Sequence, residues 1–130
     1  MNQSFKPAIR CVMQAMRSER AIVEFMANKT WFERLLQISE EYMDEEVIIA
    51  TSRTIKLIFK SNAAMDIIED QYPSMGEFLC AQMTNYATSQ AIVTESILAL
   101  DLLLNRPYYI KQMSGHWYPK LAGMKNDPKN

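Results

Sequence analysis

Nucleophilic, metal-binding and acid–base chemistry each need particular side chains at particular spacings, and this chain holds few of them. His116 is the only histidine in 130 residues. It stands in the stretch 115–119 with no cysteine or carboxylate at ligand spacing, so neither a metal site nor a general base is expected there. Cys11 and Cys80 fall inside apolar helical patterns without metal-like spacing, and are expected as free, buried thiols in a reducing, cytoplasmic compartment. No glycine-rich phosphate loop, G-x-S-x-G elbow or paired metal-ligand motif occurs. The expectation is a chain without catalysis, metal or cofactor.

Charged side chains offer binding chemistry instead. Arg53, Lys56 and Lys60 recur at helical spacing on one face, and Arg10 and Arg17 stand 43 residues before Arg53 and Lys60. Such a basic line suits an acidic or phosphorylated protein segment through charge-assisted hydrogen bonds. The acidic group Glu40, Glu41, Asp44, Glu45 and Glu46 could hold a cation or a basic peptide, but carboxylates ahead of a helix are accounted for by solvation and by the helix dipole. With a formal net charge of −1 there is no cationic surplus to neutralise phosphates, which leaves nucleic acid a distant expectation.

The elements that must carry these residues are helices. Apolar residues make up 48% and charged residues 22%, a balance that folds. They recur at spacings of three and four, and the first 75 residues contain no glycine for tight turns. The N-terminus lacks the apolar core of a signal peptide, and no stretch approaches 18 apolar residues, so neither secretion nor membrane insertion is expected. Helices are expected over 19–27, 31–42, 44–60, 63–71, 75–85 and 89–104, with another from Pro107. Thr30 with Glu33, and Ser74 with Glu77, have the spacing of capping boxes, while Asp44, Glu45 and Glu46 open the long helix whose apolar line is Ile48, Ser52, Ile55 and Phe59. The next long helix is expected to turn Ile92, Leu98 and Leu102 inward, and Met13, Met16, Met26 and Met65 are expected in the core. Residues 7–27 read as one helix or as two, with only Ser18 marking a break.

Shifting the chain by 43 residues lays Ser18 on Ser61, Ala21 on Ala64, Leu36 on Leu79, Ile49 on Ile92, Leu57 on Leu100 and Asn62 on Asn105; an offset of 44 pairs the two long helices almost as well. Within each period the order is short, medium and long helix. The segment SERAIVEFMANKTWFERLLQISEEYMDEEVIIATSRTIKLIFKSN resembles one armadillo repeat, with AIVE in its first helix, paired leucines in its second and a D-E-E turn into its third. The resemblance implies an all-α, right-handed α-solenoid of about two and a half three-helix repeats: a partial repeat 1–17, repeats 18–60 and 61–104, and a partial repeat 105–125, followed by a flexible tail 126–130. Asn28-Lys29 and Tyr72-Pro73 stand where the family commonly has glycine, and Arg53, Ser96, Leu57 and Leu100 stand where its nuclear-import members carry Trp and Asn.

The resemblance further implies that third helices line a concave groove, which would make Arg10, Arg17, Arg53, Lys56 and Lys60 a partner-binding stripe on a non-enzymatic adaptor or scaffold. Solenoid ends need polar caps, whereas Phe5, Ile9 and Val12 at one end and Trp117, Tyr118 and Leu121 at the other are apolar. The alternative role is therefore a structural subunit, or a homo-oligomer, joined through those ends.

Overall fold

The computed structural model describes residues 10–41 and 44–116, and all the regular structure among them is helix. In chain order these are α1 (residues 10–15), α2 (Glu19–Ala27), α3 (Lys29–Glu41), α4 (Glu45–Phe59), α5 (Asn62–Gln71), α6 (Met75–Asn85), α7 (Gln90–Leu103) and α8 (Pro107–His116). The chain is thus all-α over these residues.

Four helix starts follow one rule: a short polar side chain in extended backbone turns back to an orphan amide. Ser18 accepts from Ala21 N, Asp44 from Glu46 N, Ser61 from Ala64 N and Ser89 from Ile92 N, at 2.9–3.4 Å. The Ser18 cap decides the first ambiguity, because the helix breaks at residues 16–18 and α2 begins anew. Two expected caps do not form. α3 starts at Lys29, since the chain reverses around Asn28 alone and Trp31 N bonds to Asn28 O at 3.0 Å; Thr30 is then already inside the first turn. Ser74 does precede α6, but its backbone (φ −90°, ψ 14°) is not the extended form a cap requires, and its hydroxyl makes no cap bond.

α4 packs most extensively against α7, α7 also against α6, and α3 lies on α4. The contacts between α4 and α7 run in step, Glu45 to Ser89 and Arg53 to Glu95, so the two helices are parallel neighbours with α5 and α6 as the crossover between them. Ile48, Ser52, Ile55 and Phe59 are all buried, as the apolar line of α4 anticipates. One core of Ile55, Ile58, Phe32, Ile68, Leu79, Leu103 and their neighbours runs from α2 to α8. Gly76 sits in it because space is short: a Cβ there would come within 2.8 Å of Met113 Sδ on α8.

Some inward assignments are corrected by one position of helical phase. Cys80 is buried but Cys11 is exposed, because Val12 on α1 and Met16 in the turn just after it, four apart, take the inward side. Ile92, Ser96, Ala99 and Leu103 form the inward line of α7, which leaves Leu98 exposed and Leu102 half-buried. Met16, Met26 and Met65 are buried and Met13 half-buried.

Polar side chains, some buried and some exposed, tie helices that lie about one period apart. Tyr109 of α8 is fully buried, and its hydroxyl donates to Ile68 O and Tyr72 O at 3.2 and 2.8 Å, a further bond to carbonyls that already accept from Tyr72 N and Met75 N at the end of α5. Burial, with Tyr108 and Glu69 nearby, pushes this phenol's pKa far up despite Arg106. Ser61 Oγ donates to Glu19 at 2.7 Å, Ser89 Oγ donates to Glu45, and Arg106 donates to Asn62 O at 2.9 Å and pairs with Asp66 and Glu69.

Candidate interaction surface

Arg53 and Lys56 lie one turn apart on α4, and α7 sets a single carboxylate opposite them. Glu95 accepts from Lys56 Nζ at 2.9 Å and from Arg53 Nε at 3.3 Å. Its side chain keeps 12% of its surface exposed. Burial alone, the largest single influence, would raise its pKa, but hydrogen bonds from Lys56 and Arg53 together with their charges outweigh it and hold the carboxyl below its ordinary value. Among the described residues the Arg53 guanidinium is hydrogen-bonded only through Nε, and its two terminal nitrogens have no partner there.

α1 brings Arg10 to the same region. Arg10 and Arg53 line one cavity of about 330 Å³, walled by Met13, Val47, Ile49 and Ala50 and bordered by Glu46. The other two basic residues stand apart from this centre. Arg17 is exposed in the turn after α1, and Lys60 is the exposed C-cap of α4, where its charge faces a helix end of negative polarity. No hydrogen bond or ion pair among the described residues engages the side chains of Arg10, Arg17 or Lys60.

No protein-family model, curated protein or solved structure matches the chain. Functional inference therefore rests on the surface itself.

Among the described residues no three His, Cys, Asp or Glu side chains gather to hold a metal, and no helix is long and apolar enough to cross a membrane. The acidic group does not act as a unit. Asp44 caps α4, Glu45 receives Ser89 and Glu41 pairs with Arg34 at 3.4 Å, whereas Glu40 faces a cavity between α3 and α6. Of the apolar end residues, Val12 lines a groove of about 640 Å³ with Phe25, Trp31, Leu35 and Ile38; Phe5, Ile9, Trp117, Tyr118 and Leu121 lie outside the described residues.

Sequence reasoning missed Glu95. The signal is present, since Glu95 and Asp101 are the only charged residues of α7 (QAIVTESILALDLL), and Glu95 stands 42 residues from Arg53. It missed Gln82 as well, whose Nε2 donates to Ser52 Oγ and Ser96 Oγ, both at 2.8 Å, with all three residues buried.

Proposed function

We propose that this chain is a non-catalytic protein-interaction module, its helices stacked as about two and a half armadillo-like repeats, that holds an acidic or phosphorylated segment of a partner protein. Arg10, Arg53 and Lys56 form the centre of the binding surface, with Arg17 and Lys60 at its margin. The stacked arrangement is supported by side-chain bonds that recur between residues 42–44 apart, such as Ser61 to Glu19 and Ser89 to Glu45. It would place α1, α4 and α7 in the third-helix positions of successive repeats.

The shared cavity of Arg10 and Arg53 carries the functional reading. Two guanidiniums on different helices open on one concavity, and a guanidinium fork matches the paired oxygens of carboxylate or phosphate. Glu95 anchors Arg53 through Nε and leaves its terminal nitrogens for a ligand, so little side-chain freedom remains to be lost on binding.

A library of acidic and singly phosphorylated dodecapeptides tests this by fluorescence anisotropy. Binding is expected to weaken about tenfold in Arg10→Glu and in Arg53→Gln, and to fall with added salt. The proposal fails if no such peptide binds, or if both variants bind as the native chain does.

One observation favours a second reading, association through the ends. Among the described residues the exposed large apolar side chains are Val23, Trp31, Ile97, Leu98, Tyr108 and Ile110, all on α2, α3, α7 or α8 and none on α4 to α6. Sedimentation equilibrium would then give a mass above the 15.1 kDa monomer, reduced by Trp31→Glu.

A further inference from the structure

We propose that the groove between α3 and α6 is a second docking surface, of opposite charge, for a basic segment of a partner protein. It takes a Lys or Arg side chain beside Glu40 and Glu77 and an apolar residue against Phe78. This goes beyond the function proposed above in using different helices and opposite chemistry.

Two cavities of about 450 and 470 Å³ lie between these helices, and Glu40 and Phe78 line both, which makes them one continuous groove. Neither cavity is lined by any Lys or Arg. Six carboxylates elsewhere are matched by cations, Glu24 by Arg20, Glu33 by Lys29, Glu41 by Arg34, Asp66 and Glu69 by Arg106, and Glu95 by two cations, whereas Asp70 and Asp101 have no ion pair among the described residues but line neither cavity. Glu40 and Glu77 are exposed and have no ion pair or hydrogen bond among the described residues.

A separate observation lies in the groove wall. Gln82 is only 6% exposed, and its amide nitrogen is committed to Ser52 and Ser96. Among the described residues no donor reaches its carbonyl oxygen, and the residue lines the groove. An acceptor without a protein donor in a groove wall can be met by an ammonium, a guanidinium or a peptide N–H of a bound segment in place of water. Phe78, Tyr72 and Tyr86, all half-buried, add aromatic surface that favours a cation or an apolar side chain. Acidic segments are repelled by the same two carboxylates.

The probe is a displayed library of random dodecapeptides selected on the full chain, with recovered peptides measured by anisotropy. Recovered sequences should combine Lys or Arg with an aromatic or aliphatic residue. Glu40→Gln with Glu77→Gln should weaken their binding about tenfold, whereas the charge-matched control Glu24→Gln with Asp101→Asn should change it less than about twofold. Far-UV circular dichroism confirms that each variant is folded. The proposal is overturned if selection yields no basic peptide, if the Glu40 and Glu77 variant binds as the native chain does, or if the control weakens binding equally, since that would reflect net charge alone.

Discussion

Replacing Gln82 by Leu isolates the energetic value of one buried polar cluster. The substitution keeps most of the side chain's volume but strands the hydroxyls of Ser52 and Ser96, both with 0% exposure. A buried hydroxyl without a partner costs about 1–3 kcal/mol, and two give about 2–6 kcal/mol. Each serine sits within a helix and can turn to a carbonyl one turn back, which offsets part of the loss and brings the expectation to about 2–4 kcal/mol. Removing both serine hydroxyls as well, in Ser52→Ala with Ser96→Ala and Gln82→Leu, abolishes the unmet groups and should return stability to within about 1 kcal/mol of the native chain. Urea unfolding followed by far-UV circular dichroism measures all three proteins, with equal slopes required for the comparison. A loss below about 0.5 kcal/mol in Gln82→Leu, or a triple variant no more stable than the single one, would refute the reasoning.

Leu100→Ala should cost about 2–4 kcal/mol, because Leu100 is 6% exposed, while the half-buried Leu57→Ala should cost about 1–2 kcal/mol; urea midpoints distinguish the two. Glu95 has a carboxyl pKa lowered by folding, so its contribution is complete above the unfolded carboxylate value near about 4.3 and is lost as pH falls through the lower folded value. Glu95→Gln should therefore flatten the acid limb of a stability profile taken from neutral pH downwards, and lower neutral stability by about 1–2 kcal/mol, between the values for exposed and buried pairs. Identical acid limbs in the two proteins would contradict the assignment. Thiol titration with a chromogenic disulfide should find Cys11 reactive in the native chain and Cys80 only after unfolding; equal rates for both would place Cys80 at the surface.

Most helix boundaries were legible because local chemistry sets them. Ser18, Asp44, Ser61 and Ser89 stop the preceding segment and cap the next whatever packs on them, and the ends of α2 and α6 fall where spacing placed them. The start of α3 was not legible, because Asn28 reverses the chain without the capping box that Thr30 and Glu33 suggested. Which face of a helix turns inward depends on its neighbours, so periodicity alone misjudged Cys11 and Leu98 by one position.

The basic line was visible as spacing, and Arg10 and Arg53 do share a cavity. Its electrostatics were not visible, because Glu95 lies 42 residues away and pairs with Arg53 and Lys56 only once α4 and α7 run side by side. No single offset describes that pairing: Arg53 to Glu95 spans 42 residues and Glu45 to Ser89 spans 44. Amphipathic helices match one another in several registers, and only side-chain packing selects among them.

Ser61 and Ser89 do more than start their own helices. Each accepts from an amide in its own first turn while donating to a glutamate that opens a helix about one period earlier, Glu19 for Ser61 and Glu45 for Ser89. One carboxylate is thereby shared by the positive ends of two helices. Amide hydrogen exchange at Ala64 and Ile92 should therefore report on more than local opening. Fraying the first turn of α2 withdraws Glu19 and loosens the start of α5, and fraying α4 does the same to α7, so protection at helix starts is coupled from one period to the next.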